Sequence, residues 1–97
     1  MRLYVRSRLL EFCSAHPTAR GPLKAWIREA ESAHWETPGE IRARFRSADF
    51  VGGDRIVFNI GGNNFRVVCG VNCKTRTMFI KWVGTHAEYS KLDISTL

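Results

Sequence analysis

The strongest constraint on the fold is a change of hydrophobic period at Arg55. Before this residue apolar side chains recur at helical spacing, whereas after it they alternate with polar ones. Three alternating runs follow, with the apolar sets Ile56, Phe58, Ile60, then Phe65, Val67, Cys69, Val71, and then Met78, Ile80, Trp82. We therefore predict three antiparallel strands whose apolar sets pack under the preceding helices.

The first half of the chain predicts a short strand and three helices. Capping residues and prolines mark the helix boundaries. The expected elements are a strand over 1–5, a helix over 7–16 capped by Ser7, a helix from Thr18 or Gly21 to Trp35, a helix begun by Thr37-Pro38, and a short strand over 49–51. After the third long strand, Thr85 is expected to cap a final short helix through Tyr89 and Leu92.

Gly61-Gly62-Asn63 predicts a tight hairpin turn, because glycine and asparagine tolerate positive φ. The segment lacks the lysine and the following helix of a nucleotide-binding phosphate loop, so we interpret it as a turn alone. The strand alternation then places Arg66 opposite the core, on the same sheet face as Arg55, Asn59 and Lys81. Three cations and an amide on one face are suited to binding phosphates.

The positive charge is concentrated in the second half of the chain. The net charge is +6, and the segment from Ile41 to Lys81 contains eight basic and two acidic residues, a balance of +6. Such a field attracts polyanions, although a generally basic surface remains the alternative. The residues predicted to bind RNA outside the reaction centre are Arg55, Asn59, Asn64, Lys74, Arg76, Arg42 and Arg46.

Arg42 and Arg46 stand four residues apart and are expected to share an outward helix face, while Ile41 and Phe45 face inward. A solvated face, contact with phosphate and docking of an acidic partner all remain open for these arginines.

Several classes of protein are excluded by what the sequence lacks. Three cysteines are an odd number, which argues against a disulfide-stapled secreted fold, and they form no zinc-binding set at the usual spacing. No apolar run approaches the roughly 20 residues of a membrane span. Two acids among eight cations disfavour a carboxylate-bound two-metal nuclease. We therefore expect one cytoplasmic domain over 1–97, with no metal and no cofactor.

Metal-free RNA cleavage needs a base for the 2′-hydroxyl, an acid for the leaving oxygen and cations for the charged transition state. Histidine is the side chain whose ordinary pKa suits proton transfer near neutrality, and His86 follows the strand that carries Lys81. Tyr89 lies three residues on, on the same side of the helical turn. The predicted catalytic residues are Arg66, Lys81, His86 and Tyr89; each also has a structural alternative, as a solvated, capping or packing side chain.

Two segments carry a family resemblance. Val57 to Val68 contains Asn-x-Gly-Gly-Asn-x-x-Arg, and Lys81 to Tyr89 contains Thr-His-x-Glu-Tyr. Together they resemble the HigB toxins of bacterial type II toxin–antitoxin modules, within the wider RelE-like toxins. The family often has aspartate after the tyrosine, where this chain has Ser90.

The resemblance implies a small α+β domain with its N-terminal helices on one face of a curved, mainly antiparallel sheet and a short C-terminal helix. It also implies a metal-independent mRNA interferase, many of which act on the translating ribosome, using the 2′-hydroxyl as nucleophile. The implied partner is a HigA-type antitoxin with a helix-turn-helix DNA-binding domain, through which the complex binds its operator. Two alternatives remain: a non-catalytic RNA- or ribosome-binding module, and a DNA-binding regulator that uses Arg42, Arg44 and Arg46.

Overall fold

A computed structural model describes residues 1–62, 64–93 and 97. The elements are β1 (Arg2–Tyr4), α1 (Ser7–Ala15), a 3₁₀ turn (Pro17–Ala19), α2 (Arg20–Ser32), α3 (Pro38–Arg44), β2 (Asp49–Phe50), β3 (Arg55–Ile60), β4 (Phe65–Asn72), β5 (Thr77–Thr85) and α4 (His86–Tyr89). Asn63, which belongs to the predicted hairpin turn, lies outside the described residues. The predicted order of helices and strands is confirmed.

The five strands form one sheet in the order β1-β5-β4-β3-β2. Neighbouring pairs from β2 to β5 are antiparallel, and β1 joins the edge of β5 in parallel. The predicted α+β class with a mainly antiparallel sheet and a short C-terminal helix is confirmed. Gly61 and Gly62 of the turn between β3 and β4 have φ of 62° and 70°, the left-handed region that glycine adopts readily.

The helix boundaries agree only in part with those predicted. Thr37 caps α3 as expected, and its hydroxyl accepts a hydrogen bond from the amide of Glu40. The expectation that Ser7 caps α1 is wrong, because Arg6 occupies the cap position and makes no side-chain capping bond. Helix α2 ends at Ser32 because the backbone of Ala33 is extended, so the predicted end at Trp35 is wrong. The change of direction places Trp35 in the core.

The amino group of Met1 binds the end of α2. It donates to the carbonyl oxygens of Ala30 at 3.0 Å and Ala33 at 2.7 Å, at the C-terminal end of the helix. Burial lowers the pKa of this amino group below its ordinary value. These bonds attach β1 to the helical layer.

One face of the sheet packs against the helices. The core contains Leu9, Leu23, Trp26 and Ile41 from the helices, and from the sheet Ile56, Phe58, Ile60, Phe65, Val67, Cys69, Val71, Met78 and Ile80. Cys13 and Cys69 are buried free thiols, and burial raises the pKa of Cys69. The described residues include no helix long and apolar enough to cross a bilayer.

A β-bulge changes the facing of β5 and overturns one prediction. Val68 pairs with Trp82 while the next residue, Cys69, pairs with Ile80, so Lys81 is an extra residue in β5. The extra residue reverses the alternation, and Val83 rather than Trp82 packs against the core. The expectation that Trp82 shares the buried face of Ile80 is therefore wrong.

The opposite side of the sheet is called here the outer face. By strand register its members are Arg55, Val57 and Asn59 of β3, Arg66, Val68 and Gly70 of β4, and Phe79, Lys81, Trp82 and Gly84 of β5. Val57 and Val68 are buried but lie outside the core cluster, so large neighbouring side chains cover them.

Candidate functional site

A cation and two aromatic rings meet at one end of the outer face. The guanidinium carbon of Arg66 lies 4.5 Å from the centroid of the Tyr89 ring. That ring lies 6.0 Å from the ring of Trp82, centroid to centroid. A cation over an aromatic face is electrostatically favourable, so Tyr89 restricts the position of the Arg66 side chain.

Gly84 makes room for the Trp82 ring. A Cβ atom at Gly84 would lie 2.4 Å from Cη2 and 2.5 Å from Cζ2 of Trp82, closer than real contacts allow. Gly84 also pairs with Arg66 across the two strands. The missing side chain therefore lets the indole lie over β5 towards Tyr89.

A capping box begins α4 immediately after β5. The Thr85 hydroxyl accepts from the Glu88 amide at 3.2 Å, and a Glu88 carboxylate oxygen accepts from the Thr85 amide at 2.8 Å. The hydrogen bond from the Thr85 backbone is the main cause of a lowered pKa at Glu88, and the nearby charge of His16 adds a smaller effect. The predicted cap at Thr85 is confirmed, although the helix ends at Tyr89 rather than at Leu92.

His86 connects this helix to the hairpin that precedes Arg66. Its backbone amide donates to the carbonyl oxygen of Asn64 at 3.0 Å. The imidazole belongs to an exposed residue, and the Ser90 hydroxyl donates to the His86 carbonyl oxygen at 3.1 Å. Arg66, His86 and Tyr89 are thus brought to the same end of the sheet.

Replacing Thr85 by alanine is expected to destabilise the protein by about 1 kcal/mol, the usual cost of losing a side-chain cap. Because the pKa of Glu88 is lowered on folding, its contribution to stability is present above the ordinary carboxyl pKa and disappears as the pH falls through the lowered value. Urea unfolding at pH 7 and at acidic pH measures both effects, and Thr85→Ser should retain the stability. Equal stability of Thr85→Ala and wild type at pH 7 would contradict the role of the cap.

Lys81 lies on the outer face but away from the Arg66–Tyr89 contact. Its side chain crosses Gly70, where a Cβ would lie 2.8 Å from the Lys81 Cε and 3.5 Å from an Asp54 carboxylate oxygen. Gly70 is four residues from Arg66 along β4, a separation of about 13 Å. The structure therefore brings three of the four predicted catalytic residues together and places Lys81 farther along the same face.

The other residues predicted to bind RNA are spread around the sheet. Asn64 precedes β4, next to His86, while Arg55 and Asn59 lie on the outer face. The Asn59 amide nitrogen donates to the Ser47 carbonyl oxygen at 2.7 Å, so this side chain also anchors the loop before β2. Lys74 and Arg76 belong to the turn before β5, whose first residue, Thr77, is eight residues or about 26 Å from Thr85.

The arginines of the α3 region are arranged differently from the prediction. The Arg42 guanidinium lies 4.3 Å from the Phe50 ring centroid, and Arg44 forms an ion pair with Glu29. Helix α3 ends at Arg44, so Arg46 lies beyond it and does not share a helical face with Arg42. That expectation is wrong.

Trp82 is the residue of this site that sequence reasoning missed. Regular alternation assigned it to the core, whereas the bulge turns it outward beside Tyr89. The sequence did contain a signal for the bulge. The two core-facing residues Ile80 and Val83 are separated by two residues, whereas regular alternation would separate them by one. His16 is half-buried, and its ring stacks on that of Phe12 with the centroids 4.1 Å apart.

The part of the chain described by the structure contains no group of three or more His, Cys, Asp or Glu side chains placed to hold a metal ion.

Comparison with known families adds independent information to this geometry. Residues 19–92 match the family model HigB_toxin, described as the RelE-like toxic component of a toxin–antitoxin system. The chain belongs to the HigB toxin family. The matched segment covers α2 to α4 and therefore includes Arg66, His86 and Tyr89.

Curated relatives match over most of their length. The chain is 30% identical over 94 residues to an mRNA interferase HigB of Escherichia coli O6:H1, covering 95% of this chain and 91% of the relative. It is 32% identical over 91 residues to the mRNA interferase toxin HigB of Escherichia coli K12, covering 92% and 88%. An mRNA interferase HigB of Shigella flexneri matches equally well, at 32% identity and with the same coverage.

Proposed function

We propose that this HigB-family toxin is an mRNA interferase, an endoribonuclease that cleaves messenger RNA and thereby inhibits translation and growth. The observation that carries the proposal is the convergence of Arg66, Tyr89 and His86 at one end of a basic sheet face. The names of the similar Escherichia coli and Shigella proteins support the same activity.

In the proposed reaction the 2′-hydroxyl attacks the adjacent phosphate, and the 5′-oxygen of the next nucleotide leaves. His86 and Tyr89 provide the proton transfers, from the nucleophile and to the leaving group. Arg66 stabilises the negative charge that develops on the phosphate, because its planar guanidinium donates several hydrogen bonds to an anion. Tyr89 additionally orients Arg66 through the contact of its ring with the guanidinium.

Lys81 completes the four predicted catalytic residues. Since its side chain lies over Gly70, which is about 13 Å from Arg66 along β4, we propose that it binds the RNA backbone next to the reacting phosphate. Arg55 lies on the same face across Gly70 and extends this cationic path. Cations at Arg66 and, farther along β4, at Lys81 and Arg55 support binding of an RNA single strand along the outer face.

The proposed setting is the bacterial cytoplasm, with mRNA cleaved on the translating ribosome. A HigA-type antitoxin with a helix-turn-helix domain is the proposed neutralising partner, and operator DNA is bound only through the complex of both proteins. Membership of a toxin–antitoxin family supports an antitoxin partner.

Mapping of RNA 5′ ends after brief induction tests the proposed activity. We expect new 5′ ends within messenger RNAs for the wild type and about 100-fold weaker cleavage for His86→Ala, a typical loss when a proton-transfer group is removed. His34→Ala is the matched control, because His34 is an exposed histidine after α2 and is expected to leave cleavage unchanged.

The same experiment separates the alternatives. Growth arrest with intact messenger RNA would indicate a non-catalytic RNA- or ribosome-binding module. Full cleavage by folded His86→Ala would show that the histidine assignment is wrong. Specific retention of a promoter fragment by the isolated protein would indicate a DNA-binding regulator.

A further inference from the structure

Two exposed aromatic residues form a stacked pair at a distance from the Arg66–Tyr89 contact. Tyr4 and Phe79 are 40% and 48% exposed, and their ring centroids lie 5.0 Å apart with an angle of 18° between the ring planes. Large side chains this exposed are few among the residues described, the others being Val5 and Leu10. The pair is therefore an apolar patch without a function in the folded core.

Strand register places both rings on the outer face. Tyr4 of β1 pairs with Phe79 of β5, and the preceding residue of each strand, Leu3 and Met78, faces the core. Phe79 also pairs with Gly70, which has no side chain and is crossed by Lys81. The aromatic pair is thus continuous, through Lys81, with the basic face proposed to bind RNA.

The charges around the pair favour a polyanion. Arg2 lies two residues before Tyr4 on the same side of β1, and Lys81 follows Phe79 by two residues. Arg55 pairs with Gly70 from the neighbouring strand. The acid near Gly70 is Asp54, with a carboxylate oxygen 3.5 Å from where a Cβ atom of Gly70 would lie. Aromatic rings flanked by cations are the usual means of holding unpaired bases of a single strand.

We propose that Tyr4 and Phe79 form a stacking subsite for a base of single-stranded RNA, a few nucleotides away from the cleaved phosphate. This inference rests on the proposed function, because it assumes that RNA crosses the outer face from Arg66. Phe79 is six residues from Thr85 along β5, a distance of about 20 Å. An RNA strand bound at Arg66 would pass Trp82 and Lys81 before it reaches Tyr4 and Phe79.

The subsite predicts a length-dependent affinity. Binding is measured with fluorescein-labelled 2′-O-methyl oligoribonucleotides, which lack the attacking hydroxyl, at one fixed salt concentration because electrostatic binding changes with salt. The series runs from about three to about nine nucleotides, and its longer members fall within the roughly 4–16 nucleotides that single-strand sites cover. The wild type is expected to bind the long oligonucleotides about tenfold more tightly than the short ones, the effect of stacking one base.

The variant Tyr4→Leu/Phe79→Leu is expected to lose this gain while it binds the short oligonucleotides like the wild type. Tyr4→Phe and Phe79→Tyr keep the rings and should keep the gain. Leu10→Ala is the control, since Leu10 is 49% exposed on α1 and lies outside the outer face.

The outcomes distinguish the subsite from the proposed function. If the double leucine variant keeps the full gain with length, the subsite is refuted, and the aromatic pair is then better explained as a surface for a protein partner. If Arg66→Ala leaves binding of the short oligonucleotides unchanged, the proposed binding of RNA at Arg66 fails instead.

Discussion

Replacing Arg66 by alanine is expected to lower the rate of RNA cleavage about 100- to 1000-fold, as removal of a single preorganised donor to a developing charge usually does. The side chain is held over the Tyr89 ring with its guanidinium carbon 4.5 Å from the ring centroid. We therefore expect the guanidinium to meet the reacting phosphate without reorganisation. The rate is measured by primer extension on a reporter messenger RNA during cell-free translation.

Two further variants interpret this loss. Arg66→Lys keeps the charge but not the planar fork, so we expect an intermediate rate. Arg28→Ala removes an exposed arginine of α2 and is expected to leave the rate unchanged. Unaltered cleavage by a folded Arg66→Ala protein would exclude this residue from the reaction.

Replacing Phe58 by alanine is expected to reduce the free energy of unfolding by about 3–5 kcal/mol, the range measured for buried phenylalanines. Phe58 is 1% exposed, and its ring lies 5.1 Å from that of Trp26 and 5.2 Å from that of Phe45. It therefore joins the sheet to α2 and to the end of α3. Because small domains are stable by only about 5–15 kcal/mol, the loss is a large part of the total.

Urea unfolding followed by circular dichroism measures this loss. The matched control is Phe79→Ala, which removes a phenylalanine that is 48% exposed on the other face of the same sheet. A change within about 1 kcal/mol is expected there, as for most exposed positions. Similar losses for both variants would contradict the assignment of the two faces.

The strands were predictable because the pattern that marks them involves only residues close together in the sequence. Alternation of apolar side chains identified β3 with its observed bounds, Arg55–Ile60, and the two glycines at positive φ mark the turn that follows. Thr37 and Thr85 predicted the starts of α3 and α4, because the side chain of a capping threonine accepts a hydrogen bond from an amide only three residues away. The end of α2 was not predictable, because burial of Trp35 in the core decides it.

The candidate site was predictable in its composition and only partly in its arrangement. The two-residue period of β4 predicted that Arg66 lies on the outer face of the sheet. The three-residue spacing of His86 and Tyr89 predicted that they share one side of a helical turn. The position of Lys81 and the exposure of Trp82 depend on one extra residue in β5. A bulge of this kind depends on pairing with β4, and a single strand's own sequence does not specify its partner.

By itself the sequence determined the order of elements, the basic character of the chain and the identity of the residues that could act on RNA. These properties follow from charge, side-chain chemistry and short-range periodicity. Only the tertiary structure decided that Arg66 contacts Tyr89, that Lys81 lies apart from both, and that Tyr4 stacks on Phe79. Each of these relations joins residues distant in sequence, and strand pairing together with the bulge sets the distance between them.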